Sequence, residues 1–446
     1  MSLTAATHGL TQRPHRRALG RDAGGPGAVK LLLGGQALAN AALAFSVFLG
    51  GFVIYEPAPY ELFLTGLLGI WIIGGMRVPR TVLPLLVLLL LFNCGGVVSS
   101  FQIDDWPRGI IYVAVSLFLA LSAVFFACVI AADENRLPLI FKAYVAAAAI
   151  TATLGILGYF GIPGFQAFTR YSRAMGVFQD PNVFGPFLVP PILVLMHGVL
   201  SGSIARLPLR AFVLLLLLFA EFLSFSRAAW GLTVVSALLL YLLMIVNEQS
   251  ARIRFKYIAL GFAGFAAIVL LLAAAMQVPA IADLVQQRVK VVQDYDGGRE
   301  GRFARHWLGL LMATGKPLGI GPLEFGNIFP EDTHNLYLKA LMDYGWLGFY
   351  SWMTMMLWTI IGGFKLLFRP RPWQIWFQIA YVVFIGHVLM GIVIDTDHWR
   401  HHYLLIGIVW GCMALEAQWQ RKRQPGMLAR MARKAQVPPR QGAATA

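Results

Sequence analysis

Apolar runs of about 17–25 residues, each long enough to cross a bilayer as a helix, recur along this chain of 446 residues. They lie at roughly 31–54, 57–75, 80–99, 109–132, 137–160, 183–201, 208–224, 228–246, 256–278, 335–364, 373–395 and 402–418. With 58% hydrophobic and only 13% charged residues, the composition is that of a polytopic membrane protein and not of a soluble domain. The expected fold is all-α, with about twelve transmembrane helices and one long outward loop that itself contains helices. The chain divides accordingly into a basic tail over 1–29, expected to be disordered, helices one to nine over 30–278, the long loop over 279–334, helices ten to twelve over 335–420, and a second basic tail over 421–446.

Orientation follows from Lys and Arg, which short cytoplasmic loops retain. Arg13, Arg16, Arg17 and Arg21 precede the first run, and Arg421, Lys422, Arg423, Arg430, Arg433 and Lys434 follow the last, so both ends are expected inside. Arg77 and Arg80, Arg206 and Arg210, Arg252 to Lys256, and Lys365 to Arg371 fall on the same side. The net charge of +15 gathers largely in these tails and loops, where topology and anionic headgroups account for it, so nucleic acid is not an expected partner. No removable signal peptide is read, since Arg16-Arg17 has no apolar region directly after it. Cys94, Cys128 and Cys412 lie in apolar runs without metal-type spacing and read as packing residues.

The first five runs read as scaffold. Chemistry begins in the outward loop after the fifth, at Arg173 through Gly185, where Asp180-Pro181-Asn182 is a helix-start signal. A guanidinium beside the positive end of a helix suits a phosphate. Ser226-Arg227 lies between two runs joined by almost no loop, and Arg227 either snorkels or faces a polar cavity. The stretch from Asp296 to Gly345 is too polar and glycine-rich to span lipid; it offers Arg299, Arg302 and Arg305 on one side and His334-Asn335 on the other. Asp397 and Arg400 follow the eleventh run, again outward. Residues far apart in the chain therefore fall on one face, as a cationic cavity for a multiply charged anion requires.

These pieces resemble the O-antigen ligase and polymerase superfamily of bacterial inner-membrane glycosyltransferases. The resemblance covers about 31–420 and rests on Arg173 to Gly185, on Ser226-Arg227-Ala228, on Gly301-Arg302 with Lys316 to Gly321, and on Thr333-His334-Asn335 with Gly345 ten residues beyond the histidine. It implies a fold related to the C-type glycosyltransferases, chemistry in the periplasm, no cofactor and no metal. It also implies transfer of O-antigen from undecaprenyl diphosphate to the lipid A-core oligosaccharide with inversion. At position 306, where many members have Trp, this chain has His306 followed by Trp307.

The residues support that chemistry. No nucleotide is supplied outside the inner membrane, so a transferase there needs a donor carrying its own activated bond, which a lipid diphosphate does. Guanidinium groups match the diphosphate oxygens and stabilise the charge that develops as it leaves, the role expected of Arg173, Arg227 and Arg302, with Arg299 and Arg305 behind them. His334 follows Asp332-Thr333, read as a helix cap. A helix N-terminus and nearby arginines favour a neutral ring there, which either accepts the proton of the acceptor hydroxyl or only hydrogen-bonds the acceptor. Asp180, Asn182, Asn335, Asp397 and Arg400 are the further substrate-binding candidates, with Asp397 expected to pair with an arginine. The Asp294-Tyr295-Asp296 and Asp395-Thr396-Asp397 triplets are too short a pattern to imply a metal. Met175 and Phe178 read as packing. A polymerase of the same superfamily is the alternative, favoured less by the histidine-to-glycine spacing. A transporter of an anionic lipid-linked glycan would call for charges buried in the spans, and none is evident in the sequence.

Overall fold

The structure, a computed structural model, describes residues 26–275, 277, 302–329 and 332–435, with the side chains of 26–33, 268, 271, 272, 274, 275, 302, 303 and 424–435 outside the description. It falls into two compact units, Met1–Leu43 and Ala44–Ala446, and the second contains the helix bundle.

Every apolar run carries helix. In order these are α1 (Pro26–Leu49), α2 (Pro59–Ile73), α3 (Leu83–Ser100), α4 (Trp106–Ala132), α5 (Arg136–Tyr159), α6 (Pro181–Ser201), α7 (Leu207–Leu223), α8 (Arg227–Asn247) and α9 (Ala251–Ala275). After the undescribed part of the long loop come α10 (Arg302–Thr314), α11 (Glu324–Ile328), α12 (Leu336–Asp343), α13 (Gly345–Phe364), α14 (Gln374–Met390) and α15 (Arg400–Ala435). Proline in the first turn of α2, α3, α4, α6 and α7 starts these helices where a backbone N–H has no partner to lose. Six helices are long and apolar enough to cross a membrane: Leu83–Ser100, Trp106–Ala132, Arg136–Tyr159, Pro181–Ser201, Arg227–Asn247 and Gly345–Phe368. One expectation is corrected. The run at 335–364 is two helices, α12 and α13, broken at Tyr344 and Gly345.

The main core lies between α3, α4, α13 and α15. Phe92, Ala123, Trp352, Tyr403 and Trp410 are buried there, and Trp410 Nε1 donates to Thr359 Oγ1 at 2.9 Å so that its polar edge is not stranded. A second group, α5 to α8, packs around α6, and α14 touches both groups through α15, α8 and α6. At one end Glu416 of α15 accepts from Arg369 and Arg371 at 2.6–2.9 Å, a charge network that anchors the basic turn after α13.

Trp352 is 1% exposed whereas Ile361, on the outer face of the same helix, is 71% exposed. Trp352→Ala is therefore expected to lower unfolding stability in detergent by about 3–5 kcal/mol, with Ile361→Ala near neutral; equal losses would contradict this packing.

Candidate active site

Arg173 is placed by a feature the sequence did not announce. Strands β1 (Thr169–Arg170) and β2 (Arg173–Ala174) pair antiparallel, with Arg170 opposite Arg173. The two-residue turn, Tyr171-Ser172, has φ of 54° at both positions, the left-handed geometry of a tight hairpin that non-glycine residues adopt rarely. From there Arg173 Nε donates to Ser224 O at 2.6 Å and Nη2 to Asn182 Oδ1 at 2.8 Å. Asp180 caps α6 as expected, accepting from Asn182 N at 2.7 Å.

The partner carbonyl comes from the turn between α7 and α8. Phe225 takes φ of 48°, Ser226 accepts from Ala229 N, and Arg227 opens α8, half-buried. Gly185 makes the approach possible, because a Cβ there would stand 2.6 Å from Ala229 Cβ. The motifs at 173–185 and 226–228 thus form one cluster. Glu221, at the end of α7, is buried and accepts from Thr233 Oγ1 at 2.6 Å, so a buried carboxylate does exist in an apolar run, contrary to the sequence reading.

The second cluster surrounds His334. Its backbone has φ of 48°, and the cap of α12 is Asn335, not Asp332-Thr333: Asn335 Oδ1 accepts from Tyr337 N and Leu338 N. Leu336 N donates to Gly391 O at 2.8 Å and Asn335 Nδ2 to Ile392 O at 2.9 Å, stitching this turn to the segment after α14. That brings Asp395 Oδ1 to 3.3 Å from His334 Nδ1, while the histidine side chain stays 45% exposed. The helix end and arginines foreseen in the sequence favour the neutral ring; the carboxylate acts the other way, orienting the imidazole and favouring the cation that forms when it takes a proton. Burial pushes Asp395 up, but the His334 hydrogen bond and the charge of Lys339 outweigh it and hold the carboxyl below its usual range.

Among the described residues Asp397 is not paired with an arginine. It accepts from Tyr112 Oη at 2.8 Å and lies 2.9 Å from His398 Nδ1, so α4, within the supposed scaffold, helps build the site. Arg400 is held by Glu56, at 2.9 Å, and by Glu61. His306 donates from Nε2 to Thr333 O at 2.7 Å beside His334, and Trp307 turns outward. Arg305 is buried. Arg302 begins α10 with its side chain outside the described residues, and Arg299 lies wholly outside them. Met175 and Phe178 are buried, as packing residues should be. Among the described residues no three His, Cys, Asp or Glu side chains are arranged to hold an ion.

Gly345 explains the spacing from His334. With φ of +64° it ends α12, and a Cβ there would lie 2.8 Å from the Leu318 carbonyl carbon, while Ile320 N donates to Met342 O at 2.7 Å. One eight-residue helix thus separates the histidine from the glycine. A cavity of about 450 Å³ beside it is lined by His306, Trp307, Leu310, Asn335, Tyr337 and Ile392.

Both clusters lie toward the same end of the bundle. The His401 ring is 6.0 Å from Phe187, about 10 Å along α6 from Asp180 at the usual rise per residue. It is also 5.4 Å from His387, in the last turn of α14 just before Gly391. Sequence reasoning missed Asp395, Lys339 and Tyr112.

The six helices long and apolar enough to cross a membrane mark a multi-pass membrane protein, with polar, cationic and imidazole-bearing residues gathered toward one end. Residues 212–353, about a third of the chain, match the model of the O-antigen ligase family, a segment that holds Arg227, Arg302, Arg305, His334 and Asn335, and the match supports the resemblance to the O-antigen ligase superfamily. No curated protein and no solved structure matches it.

Gly185→Ala is expected to destabilise by about 1–3 kcal/mol through the clash with Ala229, and Ala229→Gly added to it should restore most of the loss. Thermal unfolding in detergent reads both, and no rescue would mean the contact is not the cause.

Proposed function

We propose that the protein is an O-antigen ligase of the bacterial inner membrane, with about twelve C-type-like spans, both termini cytoplasmic and the site facing the periplasm. It moves O-antigen from undecaprenyl diphosphate to the lipid A-core oligosaccharide. The acceptor hydroxyl oxygen attacks the anomeric carbon and the bond to the diphosphate oxygen breaks, inverting that centre. The hydroxyl proton passes to His334, whose positive charge Asp395 stabilises. Undecaprenyl diphosphate leaves with its charge answered by Arg173, Arg227 and Arg302, with Arg299 and Arg305 in support. The observation that carries this reading is the His334 to Asp395 contact of 3.3 Å at the end of the bundle where Arg173 and Arg227 also lie. Asp180 and Asn182 act through Arg173, Asn335 through the turn that presents His334, and Asp397 through Tyr112 and His398. Arg400, already paired with two glutamates, contributes to the acceptor side only as part of that network.

Purified protein incubated with the lipid diphosphate-linked glycan and lipid A-core should give an acceptor of increased size on a gel, with and without chelator. His334→Ala should cut the rate by about 10²–10⁴, and unchanged product formation would end the base assignment. Arg302→Ala should depress turnover while the yield of folded protein stays level; a matched fall in both would make the arginine structural. Elongation of the lipid-linked glycan without use of lipid A-core would identify a polymerase instead.

A further inference from the structure

Lys339 lies in the first turns of α12 with only 3% of its surface exposed. A buried ammonium is tolerated where carboxylates answer it, and here they come from three parts of the chain. Its Nζ is 2.5 Å from Asp332 Oδ2 in the turn before α12, 3.6 Å from Asp343 Oδ2 at the end of α12, and 3.5 Å from Asp395 Oδ2 in the segment after α14. The Tyr112 ring closes the site from α4, its centroid 5.6 Å from Nζ. Burial pushes the Asp343 carboxyl up against the pull of Lys339, and Asp332 and Asp395 bring the two shorter contacts to the ammonium.

The two oxygens of Asp395 are therefore divided between two partners: Oδ2 faces Lys339 and Oδ1 faces His334. A carboxylate held at one oxygen loses the freedom to turn the other away. We propose that Lys339 is a positioning residue for the transfer reaction, holding Asp395 so that its remaining oxygen stays aligned on the His334 imidazole. This rests on the reading of His334 as the base. The lysine touches neither substrate nor reacting atoms; it acts only through Asp395.

Such a role predicts coupling that a merely structural lysine would not show. Lys339→Met should lower kcat about 10- to 100-fold, the scale of a small misplacement of a catalytic group, with KM for the glycan donor within about threefold, and Lys339→Arg should recover most of the loss. In an Asp395→Asn background Lys339→Met should cost nothing further, because the path it acts through is already gone. Should Lys339→Met fail to fold, Lys339→Met with Asp332→Asn removes one charge of each sign and serves in its place.

A readout independent of transfer is the rate at which diethyl pyrocarbonate modifies His334 in the substrate-free protein, followed by mass spectrometry. Asp395→Asn and Lys339→Met should change that rate in the same direction by about threefold or more, as expected if one path of contact serves both, with no additional change in the double variant. Losses in kcat that multiply, or His334 modification at the wild-type rate in Lys339→Met, overturn the proposal. Coupled modification rates without any glycan transfer would uphold the positioning role and sink the transferase reading alone.

Discussion

The candidate site depends on two hydrogen bonds between backbone segments nearly sixty residues apart. Leu336 N to Gly391 O and Asn335 Nδ2 to Ile392 O fasten the start of α12 to the end of α14, and His334 and Asp395 meet because of them. Leu336 N lies where a helix begins and the Gly391 and Ile392 carbonyls where one has ended, so backbone groups that their own helices leave unpaired find partners here, one of them in the Asn335 side-chain amide.

The arginine side follows the same rule. Arg173 is directed by a hairpin of two-residue strands, by a side chain in the first turn of α6, and by a carbonyl freed at the end of α7. Helix ends supply most of the oriented polar groups in both clusters, joined by Tyr112 from within α4 and Lys339 from within α12. This economy suits a protein in lipid, where polar groups gathered at the ends of spans avoid the penalty of apolar surroundings. The glutamates on Arg400 and the carboxylates on Lys339 show the complementary arrangement, in which buried cations are matched before any substrate arrives.

Much of the helix order is legible in the chain because span length and apolarity are local properties. Asp180 as a cap, the near-absence of a loop before Arg227, and the packing roles of Met175 and Phe178 follow from a few adjacent residues, and the structure agrees with each. The break at Gly345 is not legible, since an apolar run of thirty residues looks the same whether or not one residue takes a positive φ. Asp395 reads as half of a short acidic triplet, and Lys339 as an ordinary helix residue, because nothing near either in sequence reports its partner.

The sequence by itself determined where the chain is apolar enough to form membrane helices, where those helices start, and which few residues carry charge or an imidazole at their ends. Only the tertiary structure decided which of these face each other: that His334 leans on Asp395, that Asp397 takes Tyr112 and His398 in place of an arginine, and that Lys339 is shared among three acids. The reason is physical. Helix formation is governed by neighbours within a turn or two, whereas the pairing of charges follows from how whole helices pack, and that is settled by contacts scattered along the entire chain.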